Sequence, residues 1–212
     1  IDEKAVLKGH KYITIVSDLD TSKVIWIGFD RTKECLDGFF STLSDQQRSQ
    51  IECIAMDMWM PFRASCRQWI SDADAKTVID RFHVERLVNQ AVDNVRREEC
   101  AKMDKETRNP LLGSRWDWLY NSQNLPEHRR ENLQRLQKMH LKTGEAYAIK
   151  EGLRGMWNLE DPQLAKEYFG FWYSWAIESK LEPMVRAAKT LGRHMNRILN
   201  YFKSKASTAI AE

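Results

Sequence analysis

The sequence Ile51-Glu52-Cys53-Ile54-Ala55-Met56-Asp57 is a short, largely apolar run that ends in an aspartate. Such a run predicts a buried strand, and an unpaired carboxylate at its end is costly because the charged group must leave water. A chain that keeps an aspartate there usually provides oxygen ligands for a hard divalent cation such as Mg2+. Asp2 and Glu212, at the two ends of the sequence, are the other acidic residues that we consider as ligands.

The chain around this run alternates between strands and helices. Residues 12–17 and 24–29 are β-branched and aromatic, and the turn-like sequence between them predicts a hairpin. Residues 76–80 predict a further strand. We interpret three aspartates near the hairpin as turn residues: Asp18, Asp20 and Asp30.

Helix signals lie between and after these strands. A helix is expected over residues 33–43, and Ser44 with Gln47 forms a capping-box pattern at the start of another. Pro61 suits the first turn of a helix that runs to about residue 70, and from Val84 onward the apolar residues recur with helical spacing. Residues 1–107 therefore predict an α/β fold with a mixed sheet.

Residues 108–181 show helical patterns only, and we interpret them as an all-helical insertion. Asp161 and Pro162 are a predicted N-cap and first-turn pair. The tryptophans of this segment are expected to pack in its core, because aromatic residues at helical spacing are usually buried. They are Trp116, Trp118, Trp157, Trp172 and Trp175.

Residues 182–212 predict a helix that returns to the core and leads to Glu212. One face is apolar, and no Asp or Glu occurs between residues 184 and 206. The opposite face carries four basic residues: Arg186, Lys189, Arg193 and Arg197. Surface helices usually mix both charges, since opposite charges four residues apart stabilise a helix. A solvated basic face and a face that tracks DNA phosphates both fit this pattern.

Composition limits the class of protein. A hydrophobic fraction of 42% and eight tryptophans in 212 residues suffice for a packed core, and no apolar run approaches the length of a membrane span. Four cysteines without metal-site spacing are typical of reduced thiols in a cytosolic protein. The net charge of +3 does not by itself indicate a nucleic-acid binder.

Several blocks of sequence together resemble the Asp-Asp-Glu transposases of bacterial insertion sequences, and in particular the IS-L-three family. They are the opening Asp2-Glu3-Lys4 with residues 8–12 (KGHKY), residues 54–59 (IAMDMW), and residues 78–84 (VIDRFHV) with Asn89 and Arg96-Arg97. The resemblance extends over essentially the whole chain.

The resemblance implies a ribonuclease H-like core that is interrupted by a helical insertion. It also implies that Asp2, Asp57 and Glu212 are the catalytic acids and the metal ligands, in that order. Two Mg2+ ions, with Mn2+ as a substitute, are the expected cofactors. The expected partners are DNA, as transposon ends and target, and further copies of the chain in a homodimer or higher oligomer on that DNA. The expected location is the bacterial cytoplasm, in association with the nucleoid.

The chemistry needs these acids and no protein nucleophile. Two divalent ions held by carboxylates can activate the attacking hydroxyl and stabilise the leaving oxygen of a phosphodiester. His83 is a possible accessory group near the acids, although a histidine bound to a backbone group is the commoner case. Asp80 is a second possible accessory acid, with a helix cap or a structural ion pair as the alternative. Another nuclease or resolvase of the same fold, and a DNA-binding remnant without catalysis, remain open as functions.

Overall fold

The chain begins with a three-stranded antiparallel sheet in the computed structural model, which describes residues 1–7, 11–104 and 109–204. The strands are β1 (Asp2–Leu7), β2 (Lys11–Ser17) and β3 (Val24–Phe29), in the order β1-β2-β3. The register places Asp2 opposite Ile15 and Ile15 opposite Ile27. The sequence pattern did not predict β1, because its first three residues are charged and form no apolar run.

The hairpin between β2 and β3 is confirmed, and its turn is held by Asp18. The Asp18 carboxylate accepts hydrogen bonds from the main-chain N–H groups of Asp20 at 2.8 Å and Thr21 at 2.9 Å. The Asp18 N–H in turn donates to the carbonyl of Lys23 at 2.9 Å. Asp30 follows β3 with a φ of 95°, in the left-handed region that suits a turn.

The two later strands, β4 (Ile54–Met56) and β5 (Thr77–Ile79), form a separate two-stranded parallel sheet, with Ala55 opposite Val78. The described strands therefore make two sheets, and not the one mixed sheet that the sequence predicted. β4 and β5 are both shorter than the predicted runs of residues 51–57 and 76–80. Every residue of both strands is buried, as expected for parallel strands covered on both faces. The main-chain nitrogen of Ile1 donates to the Ala55 carbonyl at 2.7 Å, so the start of β1 lies beside β4.

Four helices connect these strands: α1 (Lys33–Ser41), α2 (Asp45–Ser49), α3 (Met60–Trp69) and α4 (Ala73–Lys76). The capping box at the start of α2 is confirmed, with Ser44 and Gln47 bonded reciprocally. Pro61 lies in the first turn of α3, as predicted. The largest side chains buried in this region come from α1, β4, α3 and β5: Leu36, Phe40, Met56, Phe62 and Ile79.

Beyond β5, the described residues form only helices and turns. The helices are α5 (Arg81–Lys102), α6 (Arg115–Leu119), α7 (Glu127–Gln137), α8 (Lys142–Met156), α9 (Pro162–Glu178), α10 (Glu182–Leu199) and α11 (Tyr201–Ser204). The predicted cap of α9 is confirmed: Asp161 accepts from the Gln163 N–H at 2.8 Å, and Pro162 is the first helical residue. The chain is therefore a mixed α/β protein that is mainly helical. Among the described helices, none is both long and apolar enough to cross a membrane.

The chain divides into two compact units. The first contains Ile1–His83 and the stretch from His194 onward, and the second contains Val84–Arg193. The predicted insertion, residues 108–181, lies within the second unit. The unit is larger than the prediction because most of α5 and the first two thirds of α10 belong to it.

The tryptophan prediction is confirmed for three residues of the second unit and wrong for Trp116 and Trp175. Trp118, Trp157 and Trp172 are buried, whereas Trp116 is 50% exposed. Trp116 and Trp118 are two positions apart on α6, so they point to nearly opposite sides of that helix. Trp175 packs over Gly152, where an added Cβ would lie 2.7 Å from its ring, yet it remains 42% exposed.

Asn200 fixes the returning chain within the first unit. Its buried amide nitrogen donates to the carbonyls of Asp74 at 3.1 Å and Thr77 at 2.8 Å. These two carbonyls lie in and directly before β5, so the contact joins the end of the described chain to the strand that precedes α5.

We predict that Asn200→Ala lowers the free energy of unfolding by about 1–3 kcal/mol, because it leaves two carbonyls without their amide donor. The matched control is Asn196→Ala, one turn earlier on α10 and exposed, which should change it by less than about 0.5 kcal/mol. Urea denaturation of both variants measures the difference. Equal effects would show that Asn200 does not fix the returning chain.

Candidate active site

Asp57 directly follows β4 and lies mostly out of water. Its Oδ1 accepts a hydrogen bond from the Trp59 N–H at 2.8 Å, which closes the turn between β4 and α3. Burial raises the pKa of the Asp57 carboxyl above its ordinary value. The Trp59 N–H and His83 act in the opposite direction, while the nearby carboxylates of Glu3 and Asp2 raise this pKa further. Burial thus disfavours the ionised form of Asp57.

Asp2 is the first residue of β1, beside β4. Its Oδ1 accepts from the Glu3 N–H at 2.7 Å and lies 3.9 Å from Nε2 of His83. Asp2, Asp57 and His83 therefore interact electrostatically within the first unit. The two aspartates come from strands of different sheets, β1 and β4, which the hydrogen bond from Ile1 to Ala55 brings side by side.

Of the other two predicted acids, Asp80 and Glu212, the structure describes only Asp80. Glu212 lies outside the described residues. Asp80 follows β5 and is buried, and its Oδ1 accepts from the Phe82 N–H at 2.7 Å at the start of α5. This is the helix-start role that the sequence offered as the alternative for Asp80. His83, one turn along α5, also contacts the Phe82 ring edge-on at a centroid distance of 5.6 Å.

A network beside Asp57 was not predicted from the sequence. The Arg31 guanidinium lies 4.1 Å from the Tyr12 ring centroid and 4.4 Å from that of Trp59, and it pairs with Glu3 at 2.9 Å. The Trp59 indole N–H donates to the Arg31 carbonyl at 2.8 Å. Trp59, whose main chain holds Asp57, is therefore itself fixed by Arg31. The only sequence signal for this network was Trp59, an aromatic residue two positions after Asp57. The sequence does not show that its partner is Arg31, 28 residues earlier.

The carboxylates of this region have the oxygen chemistry that a hard cation prefers. Asp2 and Asp57 are acceptor-only oxygens close enough for their charges to interact, and Oε2 of Glu3 is buried with no hydrogen-bond partner among the described residues. Within residues 1–7, 11–104 and 109–204, no three His, Cys, Asp or Glu side chains are arranged to hold a metal ion.

The predicted basic face of α10 divides at the unit boundary. Arg186, Lys189 and Arg193 belong to the second unit and are exposed. Arg186 lies 3.3 Å from Glu182, an acid just before the acid-free interval, and Arg193 donates to Thr190 at 3.1 Å. All three retain exposed cationic side chains, and we call them the α10 basic face.

Arg197 is corrected from a DNA-facing residue to a structural one. Its side chain is 6% exposed, lies in the first unit, and pairs with Asp74 at 3.1 Å and with Nδ1 of His194 at 2.9 Å. Burial lowers the pKa of Arg197, with further lowering by the Arg63 guanidinium nearby. The spacing of four residues from Arg193 gave no sign of this, because Asp74 is 123 residues away.

Asp74 collects three arginines. Arg63 lies 3.1 Å from its Oδ1, Arg67 pairs with Oδ2, and Arg197 completes the cluster. Burial opposes ionisation of Asp74, but hydrogen bonds from Arg67 and Arg63 outweigh it and hold the pKa of Asp74 well below its usual range. Arg197 is therefore one of three guanidinium groups held by a single structural carboxylate.

Comparisons with known proteins agree with the resemblance described above. A family model described as a transposase, of the Asp-Asp-Glu type and the IS-L-three group, matches residues 1–212. The chain is 27% identical to the "Transposase for insertion sequence element IS1001" of Bordetella parapertussis, over 100% of this chain and 52% of that protein. It is 25% identical to the "Transposase for insertion sequence element IS1557" of Mycobacterium tuberculosis (strain CDC 1551 / Oshkosh), over 92% of this chain and 48% of that protein.

The chain spans about half the length of these curated relatives. No solved structure matches it significantly. The family match, in contrast, extends from the first residue to the last. The chain belongs to the IS-L-three family of insertion-sequence transposases.

Proposed function

We propose that this chain is the catalytic domain of a transposase that cleaves DNA strands and joins them to target DNA. The carrying observation is the electrostatic interaction between Asp57 and Asp2, on adjoining strands of a chain that matches a transposase family throughout its length. Two half-buried carboxylates whose charges repel, with His83 3.9 Å from one of them, are an arrangement that a bound cation would stabilise.

The proposed fold is a ribonuclease H-like core with a helical insertion. The antiparallel strands β1–β3, the adjoining parallel pair β4 and β5, and a chain that leaves the first unit at residue 84 and returns at residue 194 all support it. In this proposal Asp2 lies beside β4, and the first two acids therefore lie at one edge of the core.

Asp2, Asp57 and Glu212 are the proposed metal ligands, for two Mg2+ ions that Mn2+ can replace. Bound divalent ions of this kind lower the pKa of an attacking hydroxyl and neutralise the leaving oxygen in an in-line displacement at phosphorus. The chain's own contribution is positional: the Trp59 N–H orients the Asp57 carboxylate, and Arg31 holds the Trp59 ring. His83, 3.9 Å from Asp2, is the proposed accessory group that orients this acid.

DNA is the proposed partner, both as the ends of a mobile element and as target, and the proposed acting form is a homodimer or higher oligomer on that DNA. The α10 basic face supports DNA binding. Its three cations follow one another along one exposed helix surface, and neutralising phosphates with such cations releases condensed counterions.

We predict that Asp57→Asn in the full-length protein abolishes Mg2+- or Mn2+-dependent cleavage and joining while the melting temperature stays equal or rises. The substitution keeps the size and the acceptor for the Trp59 N–H, but it removes one charge from a pair of repelling carboxylates. Strand-transfer assays with pre-cut and uncut donor ends, beside thermal melts, measure both effects. Cleavage without joining by the unaltered protein would identify a nuclease or resolvase instead.

Asp117→Asn is the matched control. Asp117 is a buried aspartate of the second unit, held by Arg129 at 2.7 Å and Asn132 at 2.5 Å. Its replacement should lower the melting temperature, because it weakens a buried pair, and activity should fall only with the folded fraction. Near-normal strand transfer by Asp57→Asn would contradict the metal-ligand role of Asp57.

We also predict that replacing Arg186, Lys189 and Arg193 together by Gln weakens binding to unrelated duplex sequences about equally. The slope of log K against log salt should become shallower by up to about 2.7, roughly 0.9 for each phosphate that the variant no longer neutralises. Anisotropy titrations over a salt series measure this slope.

A control of equal charge is the triple replacement of Arg135, Lys138 and Lys166 by Gln, all exposed in the second unit. It removes the same number of positive charges from elsewhere in the unit. If both triple variants change the salt slope equally, the α10 basic face has no special role and only net charge matters.

A further inference from the structure

A second arginine cluster lies in the helical unit, around Asp93. This carboxylate is 2% exposed, on α5. Arg96 lies 2.7 Å from Oδ1, Arg97 lies 2.8 Å from Oδ2, and Arg115 of α6 lies 3.4 Å from Oδ2. A single guanidinium would compensate one buried carboxylate, so three of them leave the cluster with two positive charges in excess.

The excess charge is at the surface. Arg96 is largely buried, whereas the side chains of Arg97 and Arg115 are 60% and 47% exposed. A guanidinium has five N–H donors in a planar fork that matches phosphate oxygens. Oδ2 of Asp93 attracts the Arg97 and Arg115 guanidinium groups by charge, without a hydrogen bond from either, and so keeps the two cations near one another.

Two exposed aromatic rings adjoin these arginines. The Arg115 guanidinium lies 4.9 Å from the ring centroid of Trp116, which is half exposed. The ring of Tyr120, also exposed, follows at a centroid distance of 6.1 Å from Trp116. Arg97, Arg115, Trp116 and Tyr120 together form what we call the Arg–Trp surface.

The interior holds this surface rigidly. On the other side of α6, Trp118 is fully buried and donates to Oγ of Ser114 at 3.1 Å. Asp117 is buried as well, and it binds Arg129 and Asn132 of α7. One side of α6 therefore packs in the core. Arg115 and Trp116 are exposed on the other side, and packing gives no reason for an arginine and a tryptophan there.

We propose that the Arg–Trp surface binds unpaired DNA, with Arg97 and Arg115 on backbone phosphates and a base stacked on Trp116. Every base has an aromatic face that can stack on a side chain once the base leaves the duplex, and arginines beside the aromatic ring track the backbone. The inference rests on the proposed function, since that function makes DNA the substrate. It assigns to the helical unit a contact separate from the α10 basic face.

The test compares binding of the full chain to a short labelled single-stranded oligonucleotide and to the matching duplex, in EDTA so that no metal site contributes. Trp116→Ala should weaken single-strand binding by about tenfold, with a smaller effect on the duplex, and Trp116→Phe should retain most of it. Arg97→Gln with Arg115→Gln should make the single-strand salt slope shallower by about 1.4, roughly 0.7 for each phosphate.

The chain offers matched controls for both changes. Trp175→Ala removes another partly exposed tryptophan of the same unit. Arg130→Gln removes an arginine that is as exposed as Arg115. Arg130 pairs with the exposed Glu127 at 3.4 Å. Melting curves check that each variant is folded. We expect all of them to fold, because the replaced side chains are exposed or partly exposed. These controls should leave the preference for single strands unchanged.

The proposal is overturned if Trp116→Ala behaves like Trp175→Ala and the arginine double variant behaves like Arg130→Gln. It is also overturned if the surface variants leave DNA binding intact but change the sedimentation coefficient, since the surface would then be a protein contact. Absence of metal-dependent joining by the unaltered full-length protein, with these binding results intact, would refute the proposed function separately.

Discussion

The position of Asp57 at the end of a fully buried strand is the constraint on which the rest of the first unit depends. Burial and the nearby carboxylates of Glu3 and Asp2 disfavour its charged form. The surrounding structure nevertheless holds it in place, with the Trp59 N–H on its oxygen and Arg31 over the Trp59 ring. A fold that fixes an unfavourable charge so firmly is typical of a functional site.

Aspartates play two opposite roles in this chain. Asp74 and Asp93 each collect three arginines, so their charges are more than balanced. Within the described ranges Asp57 has no such cluster and instead lies near other acids. The contrast separates structural carboxylates, which the protein neutralises itself, from the carboxylate pair that we propose binds a cation. Arg197 belongs to the Asp74 cluster, so it is buried although its spacing matches the α10 basic face.

Much of the fold could be predicted from local pattern. The hairpin, the capping box at Ser44, the helix start at Pro61 and the cap at Asp161 are set by neighbouring residues, and all four are confirmed. β1 was missed because a strand that opens with Asp-Glu-Lys has no apolar signal. The buried state of Arg197 and the exposure of Trp116 depend on partners distant in sequence, which periodicity does not identify.

The central claim is that Asp2 and Asp57 hold a divalent cation between them, and anomalous scattering tests it most directly. Crystals of the full-length protein soaked in Mn2+ should show an anomalous peak coordinated by both carboxylates, with Glu212 as the next acid to examine. In Asp57→Asn crystals treated identically, the peak should disappear or weaken while the fold is unchanged. A Mn2+ peak elsewhere, with Asp2 and Asp57 bound only to protein groups, would contradict the account.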